Sequence, residues 1–327
     1  MRFVETAKQL ADDVLFPAAL ATDAADAVPV ELLDALAAAG LYGLAGPAEL
    51  GGAGEDLATV CAVVEALASG CLTTAFVWGQ HLGAVRAAES SGLGRIRDDW
   101  LAPLCRGEAR GGLALGGALP GPPMLRAHEA EGGWVFDGIS PWISGWGRVD
   151  VVHTAARTDD ERLVWAFLDA RESETLTVKR LELFALNGTA TVRADFHRHP
   201  VGQARVTSVD PFAEGPTPPP VLRIHASFAL GVADRCCRLL GPTPLDDELS
   251  ALRADLDALD PRTIEARRAA AGELAVRAAA ALLAATGSRS LLADGQAQRL
   301  AREALFTLVY ALRPQSRAAL LTQLGAA

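Results

Sequence analysis

The chain of 327 residues changes its residue pattern twice, and that change limits the folds open to it. From residue 109 to about 212, Trp, Val, Thr and Phe come in short bursts between turn residues. The bursts are Leu113-Ala114-Leu115, Trp134-Val135-Phe136, Val149 to Ala155, Leu163 to Phe167, Leu176-Thr177-Val178 and Ala190-Thr191-Val192. This spacing predicts short strands in a small antiparallel barrel or sandwich, with Asp159-Asp160 as a hairpin turn. On either side, apolar residues recur at helical spacing. Phe3, Ala7, Leu10, Val14 and Leu15 form one stripe. Leu32, Leu33, Leu36 and Ala37 form another, closed by Gly40 as a helix-ending residue. Asp56 can cap a third helix, with Leu57, Val60, Cys61, Val64 and Leu67 on one face. Thr73 or Thr74 opens a fourth through Phe76, Val77 and Val85, and a short fifth holds Ile96, Trp100, Leu101 and Leu104.

Pro216-Thr217-Pro218-Pro219-Pro220 reads as a stiff linker. Beyond it, helices are expected over residues 222–240, 247–259, 262–286, 300–312 and 315–324, lengths that suit a four-helix bundle. The expected fold class is α+β and multidomain: an N-terminal all-α domain over 1–108, a central β domain over 109–212, a Pro-rich linker over 213–220, and a C-terminal four-helix bundle over 221–327.

Composition narrows the function classes. Hydrophobic residues make up 50% of the chain, enough for a large core. A net charge of −10 argues against a nucleic-acid partner, which needs a basic face. The best apolar run, Ala278 to Ala285, reads as too short for a bilayer, so no membrane partner is expected. Met1 to Thr6 carries an acid early and lacks a signal-peptide core, so a cytoplasmic location is expected. The five cysteines have no metal-like spacing. They read as reduced small hydrophobes, and no metal site is expected.

The sharpest motif is Gly138-Ile139-Ser140-Pro141-Trp142-Ile143-Ser144, which follows the strand-like run Gly133 to Asp137. It sets an indole and a small hydroxyl two residues apart at a strand end, stiffened by Pro141. An indole can cover the face of a planar heteroaromatic ring while the hydroxyl meets a polar edge atom. A core Trp that fixes a turn would have the same local sequence, so the motif needs context.

Trp142-Ile143-Ser144 resembles the Trp-Ile-Thr/Ser element of the acyl-CoA dehydrogenase family, where the Trp packs on the flavin and the hydroxyl hydrogen-bonds near N5. The stretch Ala39 to Gly54, with Pro47, Gly51 and Gly52, is similar to the family's Gly-Leu … Pro-Glu-Tyr-Gly-Gly-x-Gly segment. Cys105-Arg106-Gly107-Glu108 resembles its Gly-Glu exit from the N-terminal domain, and Gln298 to Ala304 resembles its Arg-Asp-Ala helix. The resemblance implies FAD as cofactor, an acyl thioester or related small molecule as substrate, and a homo-oligomer or a hetero-oligomer with a related chain. It points to Trp142, Ile143, Ser144, Leu115, Gly116, Gly117, Gly287 and Arg289 for the cofactor. The amides of Gly116 and Gly117 would meet a flavin edge, and Arg289 is either a pyrophosphate ligand or a solvated helix-end residue.

The same resemblance asks for a carboxylate to remove a proton alpha to the thioester. Counted from Arg302-Glu303-Ala304, the family's Tyr-Glu-Gly segment falls on Tyr310-Ala311-Leu312. The other family position falls on Val221. Neither residue is a base. The loop Leu115 to Pro123 also lacks the hydroxyl and acids of the family's first flavin loop. His225, on the first bundle helix, is the replacement base by placement, although a lone helical His is more often structural. His81 reads as packing, His197 and His199 as surface strand residues, and Glu303 as a structural acid. Three functions stand: a flavoenzyme oxidising an acyl thioester with an unusual base, a catalytically silent subunit needing a sister chain, and a monooxygenase of the same fold supplied with reduced flavin.

Overall fold

The computed structural model describes residues 1–92 and 94–326. Its first helical layer comprises α1 (Arg2–Leu10), a π turn (Ala11–Leu15), α2 (Phe16–Ala24), α3 (Val30–Ala38), α4 (Leu57–Gly70) and α5 (Leu72–Ser90). A short α6 (Gly94–Ile96) then passes through a second π turn (Arg97–Leu101) into α7 (Ala102–Arg106). Asp56 caps α4 by accepting from the Thr59 N–H at 2.8 Å, and Gly40 ends α3 at φ 73°.

Eight strands follow: β1 (Gly111–Ala114), β2 (Leu125–Ala130), β3 (Gly133–Ile143), β4 (Val151–Arg157), β5 (Arg162–Asp169), β6 (Leu176–Arg180), β7 (Val192–Gly202) and β8 (Val206–Pro211). They form one sheet in the order β6-β7-β3-β2-β4-β5-β8, with β1 alongside β4. Antiparallel pairing prevails, as expected. The exceptions are β1 beside β4 and a single Arg126–Arg157 pair between β2 and β4, both parallel. The sequence bursts did not mark β2, because Leu-Arg-Ala-His-Glu-Ala buries only Leu125 and Ala127. Nor does β7 begin at Ala190. Residues Asn187–Thr189 form a 3-10 turn between Leu186 at φ 57° and Ala190 at φ 49°.

The second helical layer holds α8 (Pro219–Leu240), α9 (Pro244–Asp257), α10 (Ile264–Thr286), a 3-10 turn (Gly287–Leu291), α11 (Gln296–Val309) and α12 (Pro314–Gln323). Pro219 and Pro220 are the first turn of α8 rather than linker. A prolyl nitrogen has no N–H to lose there, and its fixed φ suits a helix start. The central helix is α10, packed by α8, α9, α11 and α12. The stretch Ile264–Leu291 is long and apolar enough by composition to cross a membrane, contrary to the shorter run expected. Its alanine-rich face is instead packed among these neighbours.

Both helical layers share one core, in which Leu67 of α4 and Leu230 of α8 are fully buried. The β domain keeps its own, around Phe136, Val164 and Ala194. Glu65 of α4 ties the layers together, accepting from Arg223 at 3.0 Å and from Arg253 at 2.6 Å.

Candidate functional site

The sheet turns the motif outward at the end of β3. Its register against β7 shifts between Ser140 and Ile143, so the strand twists there. Ile143 is buried in the β core while Trp142 is 58% exposed. Ser144 follows as a half-buried residue. Its Oγ lies 2.8 Å from Thr191 Oγ1, which lies 2.8 Å from Thr189 Oγ1, which donates to Leu186 O at 2.7 Å. The Gly145 N–H donates to Thr189 O at 2.7 Å and closes the loop onto β3.

This loop is held under strain. Leu186 and Ala190 both sit in the left-handed region, a conformation that costs non-glycine residues of order 1–3 kcal/mol each. The turn is anchored at Gly188, where a Cβ would strike the Thr22 carbonyl of α2. An open indole face beside a preset hydroxyl fits the face and edge of a planar heteroaromatic ring.

The neighbouring loop behaves differently from the expectation. A Cβ on Gly116 would strike Ile139 O, and one on Gly117 would overlap the Ala156 backbone. Both glycines therefore serve close backbone packing. The Gly117 N–H donates to Ala155 O at 2.9 Å, so, contrary to the expectation, that amide is not free for a cofactor. Arg157 organises the loop. Only 2% exposed, it donates to Gly117 O at 3.1 Å, Leu119 O at 2.9 Å and Gly121 O at 2.7 Å. Its guanidinium lies 3.7 Å from the centroid of Phe212. Nothing in the sequence singled out this residue. Leu115 is exposed beside the loop. Gly287 and Arg289 lie on the exposed turn after α10, which packs on α10 and α11; the described contacts do not bring that turn to β3.

The positions that would supply a base cluster around the end of α11. Tyr310 follows α11, and Ala311 is left-handed at φ 49°. The Tyr310 phenol donates to His225 O at 2.6 Å, and its own carbonyl accepts from Arg268 at 2.7 Å. The rings of Phe76, Phe228 and Phe306 surround Tyr310 at centroid distances of 5.6, 5.9 and 5.3 Å. Arg313 reaches back to Ala118 O at 3.4 Å.

His225 Nδ1 is shut off from solvent with no hydrogen-bond partner among the described residues. Burial pushes His225 down to about 3, helped by the charges of Arg268 and Arg313. The imidazole is therefore neutral at pH 7 and a weak base. Val221 lies in the first turn of α8, so no carboxylate stands at either family position.

Two other sequence candidates have structural places. His81 Nδ1 accepts the Gly111 N–H at 3.0 Å, which fixes the tautomer in which Nε2–H donates to Leu104 O at 3.1 Å. It bolts α5 to α7 and β1. Glu303, 1% exposed, pairs with the fully buried Arg299 at 2.5 Å inside the helical core.

Comparison with known proteins agrees with this architecture. The family model described as "Acyl-CoA dehydrogenase, N-terminal domain" matches residues 1–108. Butyryl-CoA dehydrogenase from Megasphaera elsdenii superposes with a TM-score of 0.79 at 18% identity, covering 99% of this chain and 96% of that one. Nitrososynthase from Micromonospora carbonacea var. africana superposes with a TM-score of 0.77 at 22% identity, covering 99% and 95%. The fold is thus that of the acyl-CoA dehydrogenases.

Sequence relatives include benzylmalonyl-CoA dehydrogenase from Aromatoleum aromaticum, 28% identical over 54% of this chain and 48% of the relative. The mitochondrial short-chain specific acyl-CoA dehydrogenase of Homo sapiens is 25% identical over 59% of this chain and 49% of the relative. The chain is similar to the acyl-CoA dehydrogenase family through the family model over its first 108 residues and through these relatives, of whose length the match spans about half.

Proposed function

We propose that this chain is an FAD-binding oxidoreductase of the acyl-CoA dehydrogenase type, built to act on an acyl thioester or a related compound. The observation that carries the reading is the open Trp142 indole beside the Ser144 hydroxyl at the end of β3. Trp142 and Ser144 would hold the cofactor by face and edge. Arg157 would keep the Gly116–Gly121 loop folded beside them. A bound flavin would supply the hydride acceptor that no side chain here provides. The Tyr310–His225 contact shapes the end of α11, where the family resemblance places the base.

The proton-transfer half is what this chain lacks. A neutral His225 held near a pKa of about 3 can accept a hydrogen bond, but it is poorly matched to removing an alpha proton at neutral pH. That observation favours a second reading, in which the chain is one member of a mixed oligomer and a sister chain with an intact Tyr-Glu-Gly segment supplies the base.

The visible spectrum of the purified chain tests the first part. The proposal expects flavin absorbance, and colourless protein that stays colourless with added FAD would remove it. Anaerobic addition of acyl-CoA substrates tests the second. Bleaching by the chain alone would contradict the mixed-oligomer reading, and bleaching only after a Glu-bearing sister chain is added would support it.

A further inference from the structure

The proton directions in the Ser144 relay follow from counting hydrogens. Each hydroxyl carries one proton. The Leu186 carbonyl can only accept, so Thr189 Oγ1 gives its proton there, at 2.7 Å. Thr189 is then spent, and the 2.8 Å contact requires Thr191 to donate to it. Thr191 is spent in turn, so Ser144 donates to Thr191 at 2.8 Å. This is the one arrangement in which all three contacts are hydrogen bonds. Thr189 and Thr191 are 1% and 4% exposed, so bulk water does not compete for their protons.

Ser144 Oγ is left with lone pairs and no proton to offer outward. Its outward partner must therefore be a donor. An oxidised isoalloxazine presents N5 as a bare acceptor, whereas the reduced ring carries N5–H. We propose that Ser144 is a redox-selective contact. Its Oγ accepts the N5–H of reduced FAD and offers nothing to oxidised N5, so this chain holds reduced FAD more tightly than oxidised FAD. The inference rests on the flavin reading above and sharpens it, because it names the form of the cofactor the site prefers. Ser144 would touch the cofactor directly. Thr191 acts through Ser144 and is a positioning residue, and the strained turn from Leu186 to Ala190 keeps both threonines in line.

Anaerobic titration of the full chain with oxidised and with dithionite-reduced FAD tests this, together with the midpoint potential of the bound flavin. The variants are Thr191→Val, Thr191→Ser and Ser144→Ala. Thr191→Val is close in shape but leaves the Ser144 proton free to turn toward oxidised N5. It should cut the preference for reduced FAD by about tenfold, which lowers a two-electron midpoint potential by about 30 mV. Thr191→Ser keeps the relay and should keep the wild-type potential. Should Thr191→Val fail to fold, Ser144→Ala carries the test, because it too should lose the preference. A wild-type chain that binds both forms equally, or a Thr191→Val variant whose potential is unchanged or raised, overturns the relay argument while the flavin reading stands. Failure to bind either form removes the flavin reading and the relay argument with it.

Discussion

The end of β3 and the turn between α11 and α12 are finished to different degrees. At the end of β3, three hydroxyls and a carbonyl form one line in which every proton has a place. A strained turn secures that line, and the indole beside it is open. At the other turn, position 311 carries a methyl group in the left-handed conformation, and His225 Nδ1 meets no partner among the described residues. Holding a planar ring and moving a proton are thus separable tasks in this architecture. The proposed reading assigns the first task to the end of β3 and leaves the second without a well-matched base.

The largest effect should come from acid, which acts on buried imidazoles on both sides of the comparison. His81, His153 and His225 are all pushed down to about 3, chiefly by burial. Their folded pKa values lie below the unfolded value near 6.5, so the unfolded chain takes up protons first as pH falls. The stability they contribute is complete above about pH 6.5 and is lost on the way down toward pH 3, at about 4 kcal/mol per pH unit for the three. Urea midpoints at pH 7, 6 and 5 measure it. A flat profile would mean that the three imidazoles are not held neutral.

The next effect sharpens the contrast from the bundle side. Ala311→Glu places a carboxylate on a turn that is already left-handed. A positioned general base contributes roughly 10²–10⁴-fold in rate, so exchange of the alpha proton of an acyl-CoA should accelerate on that scale. No acceleration in a folded, flavin-loaded variant would show that more than the base is missing.

A comparable change in stability follows Glu303→Ala. It would strand the Arg299 guanidinium in the core and should cost about 3–5 kcal/mol, read from thermal or urea unfolding. A loss below about 1 kcal/mol would mean that the variant admits water or a replacement partner.

Much of this was legible in the sequence, for reasons that differ by residue. Trp142, Ile143 and Ser144 are consecutive, so one motif carries them. The helical stripes of α1, α4 and α8 repeat often enough to be seen. Thr189 and Thr191 join Ser144 only through strand pairing between β3 and β7, and no local pattern announces that meeting. Arg157 is equally silent, because its three carbonyl partners come from another loop. Gly116 and Gly117 read as amide donors, yet the Gly117 N–H is taken by Ala155 O, and both glycines are packed against backbone. The place of His225 on the first bundle helix is legible, but its depressed basicity depends on burial beside Tyr310 and on Arg268 and Arg313, which arrive from α10 and from beyond α11.

The smallest predicted effect bears most directly on the central claim. Equilibrium titration of FAD into the wild-type chain and into Trp142→Ala, followed by visible absorbance, should show binding by the first. Binding by the second should be weaker by about 1–2 kcal/mol, roughly tenfold, with the unfolding temperature unchanged because the indole is exposed. Equal affinity in the two proteins would contradict the account.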